Sequence, residues 1–134
     1  ATMADTKYGL IKNLSTVPYE DAVTRTTEAL KTEGFGVLTE IDVKATLKKK
    51  LDVDFRKYVI LGACNPPLAH KALTNEAHIG LLLPCNVVVM EEEDGGSTVS
   101  IINPMEAFSL VEKPELTSLA EEVTSKLTRV LDRL

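Results

Sequence analysis

Two cysteines carry the most distinct chemistry that the sequence offers. One lies in Cys64-Asn65-Pro66-Pro67 and the other in Leu83-Pro84-Cys85-Asn86. Cys64 ends an apolar run, and the Asn and Pro that follow are favoured at the N-cap and first position of a helix. A helix dipole stabilises a thiolate at such a start, whereas a free cysteine elsewhere is usually a small buried hydrophobe. The position of Cys64 is therefore compatible with a reactive thiol or with a packing residue.

The segment between the two cysteines contains both histidines of the chain, His70 and His78. Together with Cys64 and Cys85 they form a Cys-His-His-Cys set, which is the type of ligand set that holds structural zinc. The spacing matches no common zinc pattern, and isolated histidines in such places are most often surface residues. We therefore predict no metal and no cofactor, and keep the two histidines as auxiliary candidates, for example as a base beside a thiol.

Other catalytic motifs are not found in the sequence. The segment Asp94-Gly95-Gly96-Ser97 lies between two strand patterns, not between a strand and a helix, so it does not predict a phosphate-binding loop. No nucleophile elbow is present. The acidic run 91–94 leads into the same turn, where such charges are usually solvated. The sequence predicts no catalytic residues, and a binding role is favoured over an enzymatic one.

Composition narrows the range of partners. The chain has 134 residues, a formal net charge of −5, 4% aromatic residues and no Trp. These values do not favour nucleic-acid binding, which needs clustered basic residues and often aromatic stacking; the basic run 48–50 is typical of a solvated helix end. No apolar stretch reaches the roughly 20 residues of a membrane span. We expect one cytoplasmic domain, residues 1–134, with an ordered core over about 7–134.

Hydrophobic periodicity and turn signals predict an α+β fold. Strands are expected at 8–14, 36–41, 55–63, 87–93 and 97–103, the last two forming a hairpin across Asp94-Gly95-Gly96. Helices are expected from Pro18 to a stop at Gly34, over 42–51, over 66–75, and from about Pro114 to the end. If the strands before Cys64 and after Cys85 are antiparallel neighbours, both thiols lie at the same end of the sheet.

The predicted strands carry apolar side chains on both faces. Helices packed on one face of an antiparallel sheet leave the other face open. A second copy of the same chain is the simplest cover for such a face, and we therefore expect a homodimer.

Several motifs occur in the order found in a known family. They are Gly34-Phe35-Gly36-Val37-Leu38, Glu40-Ile41-Asp42-Val43, Cys64-Asn65-Pro66 with Ala69, and Leu82-Leu83-Pro84-Cys85-Asn86-Val87. The chain resembles, over nearly its whole length, the bacterial and archaeal family called domain of unknown function three hundred and two. The resemblance implies a β-α-β4-α fold like that of the TATA-box-binding protein, an antiparallel sheet packed by helices. It also implies hallmark positions at Cys64, Asn65, Pro66, Pro84 and Cys85, and it supplies no activity.

Three functional hypotheses follow. The first is a module that binds a small apolar or thiol-reactive ligand, with the loops of Cys64, Asn65, Cys85 and Asn86 at the site and the flanking prolines fixing the backbone. The second is thiol-based redox or sulfur chemistry, with Cys64 as nucleophile and Cys85 as resolving thiol. The third is a structural homodimer with the two cysteine loops at the subunit interface.

Overall fold

The fold is a six-stranded antiparallel sheet with helices, and the computed structural model describes the backbone of residues 2–134 and the side chains of residues 6–134. The strands are β1 Thr2–Thr6, β2 Gly9–Leu14, β3 Gly36–Asp42, β4 Tyr58–Cys64, β5 Cys85–Glu91 and β6 Ser97–Ile102. The helices are α1 Tyr19–Thr32, α2 Val43–Leu51, α3 Pro66–Asn75, α4 Pro104–Ala107 and α5 Pro114–Asp132, with 3-10 turns at Ala77–Leu82 and Phe108–Leu110. The predicted α+β class and the order strand, helix, four strands, helix are confirmed, with β1 added in front.

The strand order across the sheet is β1-β2-β6-β5-β4-β3. Strands β3 to β6 therefore lie side by side in sequence order, while β2 crosses over to pair with β6, Gly9 opposite Ile102 and Leu14 opposite Ser97. This arrangement leaves β3 as an edge strand and places the ends of β4 and the start of β5 together inside the sheet.

One face of the sheet forms the core. Alternate residues of the three central strands are buried there: Val59, Leu61, Ala63, Val87, Val89, Val99 and Ile101. Helix α5 packs over this face with a stripe of buried residues at three- and four-residue spacing, from Leu116 to Leu131. Lys12 lies on the same face of β2, and its Nζ donates a 2.9 Å hydrogen bond to the carbonyl oxygen of Leu131. That contact satisfies one of the carbonyls at the C-terminal end of α5.

The opposite face carries a continuous row of side chains across five strands. The register places Ile41 opposite Ile60, Ile60 opposite Val88, and Val88 opposite Ser100, which in turn lies opposite Ile11. Ile60, Val88 and Ile11 are only half-buried, and Ile41 is 49% exposed. The expectation that both faces of the sheet are apolar is therefore confirmed for these strands.

Two strands are displaced from their predicted positions. The apolar run at 55–63 predicts a strand from Phe55, but β4 begins at Tyr58 because Phe55 lies outside the sheet and packs its ring against Tyr58, with centroids 6.0 Å apart. The strand predicted at 87–93 begins two residues earlier, since Cys85 already pairs with Ala63, and it ends where Glu92 enters the turn.

Candidate functional site

The two cysteines lie on neighbouring strands at the same end of the sheet. Cys64 is the last residue of β4 and Cys85 the first of β5. Cys85 lies opposite Ala63, so an offset of one residue separates the cysteines, and their Cα atoms are about 6 Å apart by standard strand spacings. Both thiols are free; Cys85 is buried and Cys64 partly exposed. The prediction that the two cysteines lie at the same end of the sheet is thus confirmed. Because successive residues of a strand alternate between faces, Cys85 shares the core face with Ala63, whereas Cys64 projects from the other face.

Cys64 and Cys85 are both among the residues that line a cavity of about 330 Å³ at this end of the sheet. Its walls come from the start of β3, the β4–α3 junction, α3, the start of β5, and α5. The apolar part of the wall includes Phe35, Leu68, Ala72, Phe108, Leu119 and Val123. This volume lies just above the roughly 300 Å³ lower end of small-molecule sites, and apolar walls with few polar groups are typical of them.

The mouth of the cavity lies between β3 and α3. Two of the lining residues, Leu38 on β3 and Leu73 on α3, are 68% and 43% exposed, whereas Ala72 in the wall is 1% exposed. Exposed leucines at an opening keep its rim apolar. The entry is therefore apolar, like the interior.

Asn65 positions the backbone at the site. Its Oδ1 accepts a 3.3 Å hydrogen bond from the amide of Leu68, which caps α3, and its Nδ2 donates a 3.2 Å bond to the carbonyl of Glu33 at the end of α1. Gly34, with φ +82°, follows directly, and a Cβ there would lie 2.9 Å from Nδ2. Through these two hydrogen bonds the side-chain amide of Asn65 links the end of α1 to the start of α3.

Gly62 allows close packing beside Cys64. The side chains of Thr39 and Pro84 fill the space that a side chain at position 62 would need. A Cβ there would overlap the Thr39 hydroxyl and lie 2.8 Å from Pro84 Cγ. The Leu83–Pro84 peptide bond is cis. Thr39 and Pro84 are both lining residues of the cavity, so the glycine allows two parts of its wall to approach each other closely.

The environment of Cys85 disfavours its thiolate. Burial, and secondarily the charge of Cys64, raises the pKa of the Cys85 thiol from its ordinary value of 9.0 to about 11. A thiol with this pKa is protonated at neutral pH. Cys85 therefore enters chemistry as a neutral thiol unless a partner removes its proton.

The structure brings together four of the predicted site residues. Cys64, Asn65, Pro84 and Cys85 all line the cavity. The other four lie elsewhere: Pro66 is exposed at the first position of α3, Asn86 is exposed on β5, His70 is exposed on α3 and His78 on the following 3-10 turn.

The apolar wall was not predicted as part of the site. Phe108, Leu119 and Val123 line the cavity with the cysteines only because elements distant in sequence pack together, whereas Ala72 belongs to α3, which closely follows Cys64. One signal was present in the sequence: Ala69 and Ala72 put small side chains on the part of α3 that lines the cavity. Small residues at three-residue spacing leave room between a helix and its neighbours.

Two types of site are not found in the described part of the chain. Among these residues no group of three or more histidine, cysteine, aspartate or glutamate side chains could hold a metal ion. Within residues 2–134 no helix has the length and apolar character needed to cross a bilayer.

Comparisons with known proteins agree with the fold and with the family resemblance. The chain is similar to the crystal structure of an uncharacterized conserved DUF302 protein from Bacillus stearothermophilus, with 32% identity and a TM-score of 0.86 over 96% of this chain and 98% of that one. No curated protein sequence matches it. Residues 11–134 match the family described as domain of unknown function DUF302. The chain therefore belongs to the DUF302 family.

Proposed function

We propose that this protein binds a small apolar ligand in the cavity beside Cys64 and Cys85. The observation that carries the proposal is a cavity of about 330 Å³ whose wall is mostly aliphatic and aromatic. A ligand that fills it removes apolar surface from water, which contributes roughly 25 cal/mol for each Å² buried. The apolar rim at Leu38 and Leu73 extends this contact to the entrance.

The ligand is expected to be neutral. The residues that line the cavity include no acidic or basic side chain, and their ionisable groups are the two thiols. The amide of Asn65 already has a partner at each end. A charged ligand would lose its water without gaining a counter-charge, which costs several kcal/mol.

Narrowing the cavity should weaken ligand binding. Ala72→Phe places a ring in the wall, and the affinity for the neutral fluorescent probe N-phenyl-1-naphthylamine should fall at least tenfold. Because the chain has no Trp, indole fluorescence does not interfere with the titration. Leu38→Asp is a second variant that leaves the interior unchanged: a carboxylate at this exposed rim should weaken binding several-fold.

Ala45→Phe is the matched control. Ala45 is exposed on α2 and does not line the cavity, so the same substitution there should leave probe affinity unchanged. Thermal unfolding of all variants separates loss of binding from loss of fold. Equal affinity of Ala72→Phe, Leu38→Asp and the unsubstituted protein would refute cavity binding.

A second candidate function is thiol redox chemistry, which the closeness of the two cysteine backbones supports. Their side chains leave opposite faces of the sheet, so a disulfide would require the ends of β4 and β5 to rearrange. Cα atoms about 6 Å apart lie within the roughly 4.4–6.8 Å range of disulfides. Oxidised glutathione would first form a mixed disulfide at Cys64; Cys85 would then displace glutathione. The two protein thiols lose two electrons and two protons, and one glutathione disulfide becomes two thiols. The intact mass should fall by two hydrogens, and a protein carrying only mixed disulfides would contradict this route.

The open sheet face is the basis for a third candidate, a homodimer. Ile11, Ile41, Ile60 and Val88 form one row on this face, and a second copy presents the same row to it. Six strands of about six residues offer roughly 500–600 Å² per partner, the size of a small specific interface. The dimer should therefore dissociate on dilution, and Val88→Lys should shift sedimentation to the monomer. An unchanged monomer across concentrations would refute it.

A further inference from the structure

We propose that helix α3 is the gate of the ligand cavity and that Lys113 holds this gate closed. A ligand would enter and leave when α3 moves away from the edge strand β3. The inference rests on the ligand-binding function proposed above and adds how access to the same cavity is controlled.

The first argument is the position of α3. The helix lies in the segment that joins β4 to β5, and four of its residues line the cavity: Leu68, Ala69, Ala72 and Leu73. Strand β3 forms the other side of the mouth, and it is paired with β4 along its length. A displacement of α3 is therefore the simplest way to widen the mouth.

The second argument is how little apolar surface α3 buries. Of its ten residues only Leu68 and Ala72 are buried, whereas seven of the nineteen residues of α5 are. Local opening of a structure costs least where few apolar contacts are lost. Ile79, in the following 3-10 turn, is 1% exposed, so we expect the opening to be confined to α3.

The third argument is the small number of hydrogen bonds that hold this segment. In the described part of the chain, two residues supply the hydrogen bonds between residues 66–83 and their surroundings. Asn65 caps the start of α3. Lys113 acts at the other end, where its Nζ donates a 2.8 Å hydrogen bond to the carbonyl oxygen of Asn75 and lies 2.9 Å from Oε1 of Glu76.

The contacts of Lys113 suit the end of a helix. Its positive charge is favourable beside the last carbonyl groups of α3, which have no partner within the helix. The hydrogen bond from Lys113 lowers the pKa of the Glu76 carboxyl below its ordinary value, so the pair is charged at neutral pH. Lys113 directly precedes α5, which forms another wall of the cavity. Loss of these contacts would therefore release the end of α3 from α5.

The test compares the rates of ligand exchange with the affinity. Lys113→Met should raise the association and dissociation rates of N-phenyl-1-naphthylamine by the same factor, about three- to fivefold, because both steps pass through the open state. The dissociation constant should change less than about twofold, since the closed cavity is unaltered. Glu76→Gln keeps an oxygen for the amide of His78 and should raise both rates by a smaller factor. Stopped-flow fluorescence measures both rates.

Lys57→Met is the matched control. Lys57 pairs with Glu20 at 2.6 Å, and neither residue lines the cavity, so loss of this ion pair should leave both rates unchanged. Hydrogen exchange without ligand is a second readout. The amides of α3 should exchange several-fold faster in Lys113→Met, while those of β4 should keep their rates.

The outcomes separate the gate from the ligand function. If the unsubstituted protein binds no probe, the ligand function fails, and the gate fails with it. If the probe binds but its exchange rates are the same in Lys113→Met, Glu76→Gln and the unsubstituted protein, the gate alone is overturned. A rise in the dissociation rate alone would also overturn it, because Lys113 would then stabilise the bound state and not control access. Unchanged hydrogen exchange of α3 in Lys113→Met would have the same meaning.

Discussion

Gly96→Ala is expected to lower the free energy of unfolding by at least about 3 kcal/mol. The hairpin of β5 and β6 packs against the segment that joins β2 to α1. A Cβ at position 96 would lie 2.5 Å from the carbonyl oxygen of Ser15 and 2.7 Å from its carbonyl carbon and Cα. Since these are backbone atoms, no side-chain rotation relieves the overlap. Ser97 Oγ donates a 2.8 Å hydrogen bond to the Val17 carbonyl at the same junction, and this contact would also be displaced.

Urea unfolding with Gly36→Ala as control measures this effect. Gly36 lies in edge strand β3, and a Cβ there meets nothing within 4 Å, so this variant should change stability by less than about 1 kcal/mol. Gly95→Ala isolates backbone strain, because Gly95 has φ +86° and open space around it; about 1 kcal/mol is expected. If Gly96→Ala and Gly36→Ala unfold at the same urea concentration, the result would contradict the close approach of residue 96 to the backbone of Ser15.

Raising the pH from about 9 to above 11 is expected to remove about 2–3 kcal/mol of stability through Cys85 alone. Burial, with a further contribution from the charge of Cys64, raises the pKa of this thiol from 9.0 to about 11 in the folded protein. Between these values the folded state keeps a proton that the unfolded state releases. Alkali therefore favours unfolding: the contribution is complete below about pH 9 and lost once the pH passes 11.

The difference between the unsubstituted protein and Cys85→Ala isolates this effect from other groups that titrate in alkali. Both proteins, kept reduced, are unfolded in urea at pH 8, 9.5 and 11.5. The stability difference should shift by about 2–3 kcal/mol in favour of Cys85→Ala as the pH rises. Val87→Ala, on the same strand and also buried, should change stability by an amount that does not depend on pH. A pH-independent difference for Cys85→Ala would show that the thiol is not desolvated.

Local signals in the sequence predicted most elements of the fold. The spacing of Leu116, Leu119, Val123 and Leu127 predicted α5, and Asp94-Gly95-Gly96 predicted the hairpin, because periodicity and turn chemistry act within a few residues. The 3-10 turn Ala77–Leu82 was not predicted, since its residues show neither helical nor strand periodicity. Strand β1 also fell outside the predicted elements.

The site was predictable only in part, for a related reason. Cys64 and Cys85 lie directly beside the ends of two predicted strands, so their position at the same end of the sheet followed once β4 and β5 were taken as antiparallel neighbours. The cavity depends on the gap left between the side chains of α3 and α5. No local sequence pattern encodes the width of that gap. The two histidines lie near the cysteines in sequence, yet the exposed side of α3 and the following turn direct them away from the cavity.

The pairing of β2 with β6 has a consequence for synthesis on the ribosome. The chain emerges from its N-terminus, so β2 exists long before Ser97–Ile102, the strand on which it pairs along its whole length. Strands β3 to β6 can join one after another as they emerge, each closing a shorter loop than the one between β2 and β6. Until β6 is made, one edge of β2 is unpaired, and its residues Leu10 and Leu14 cannot join the core. The first strands made complete the sheet last, and during that interval the nascent chain offers an apolar segment to chaperones.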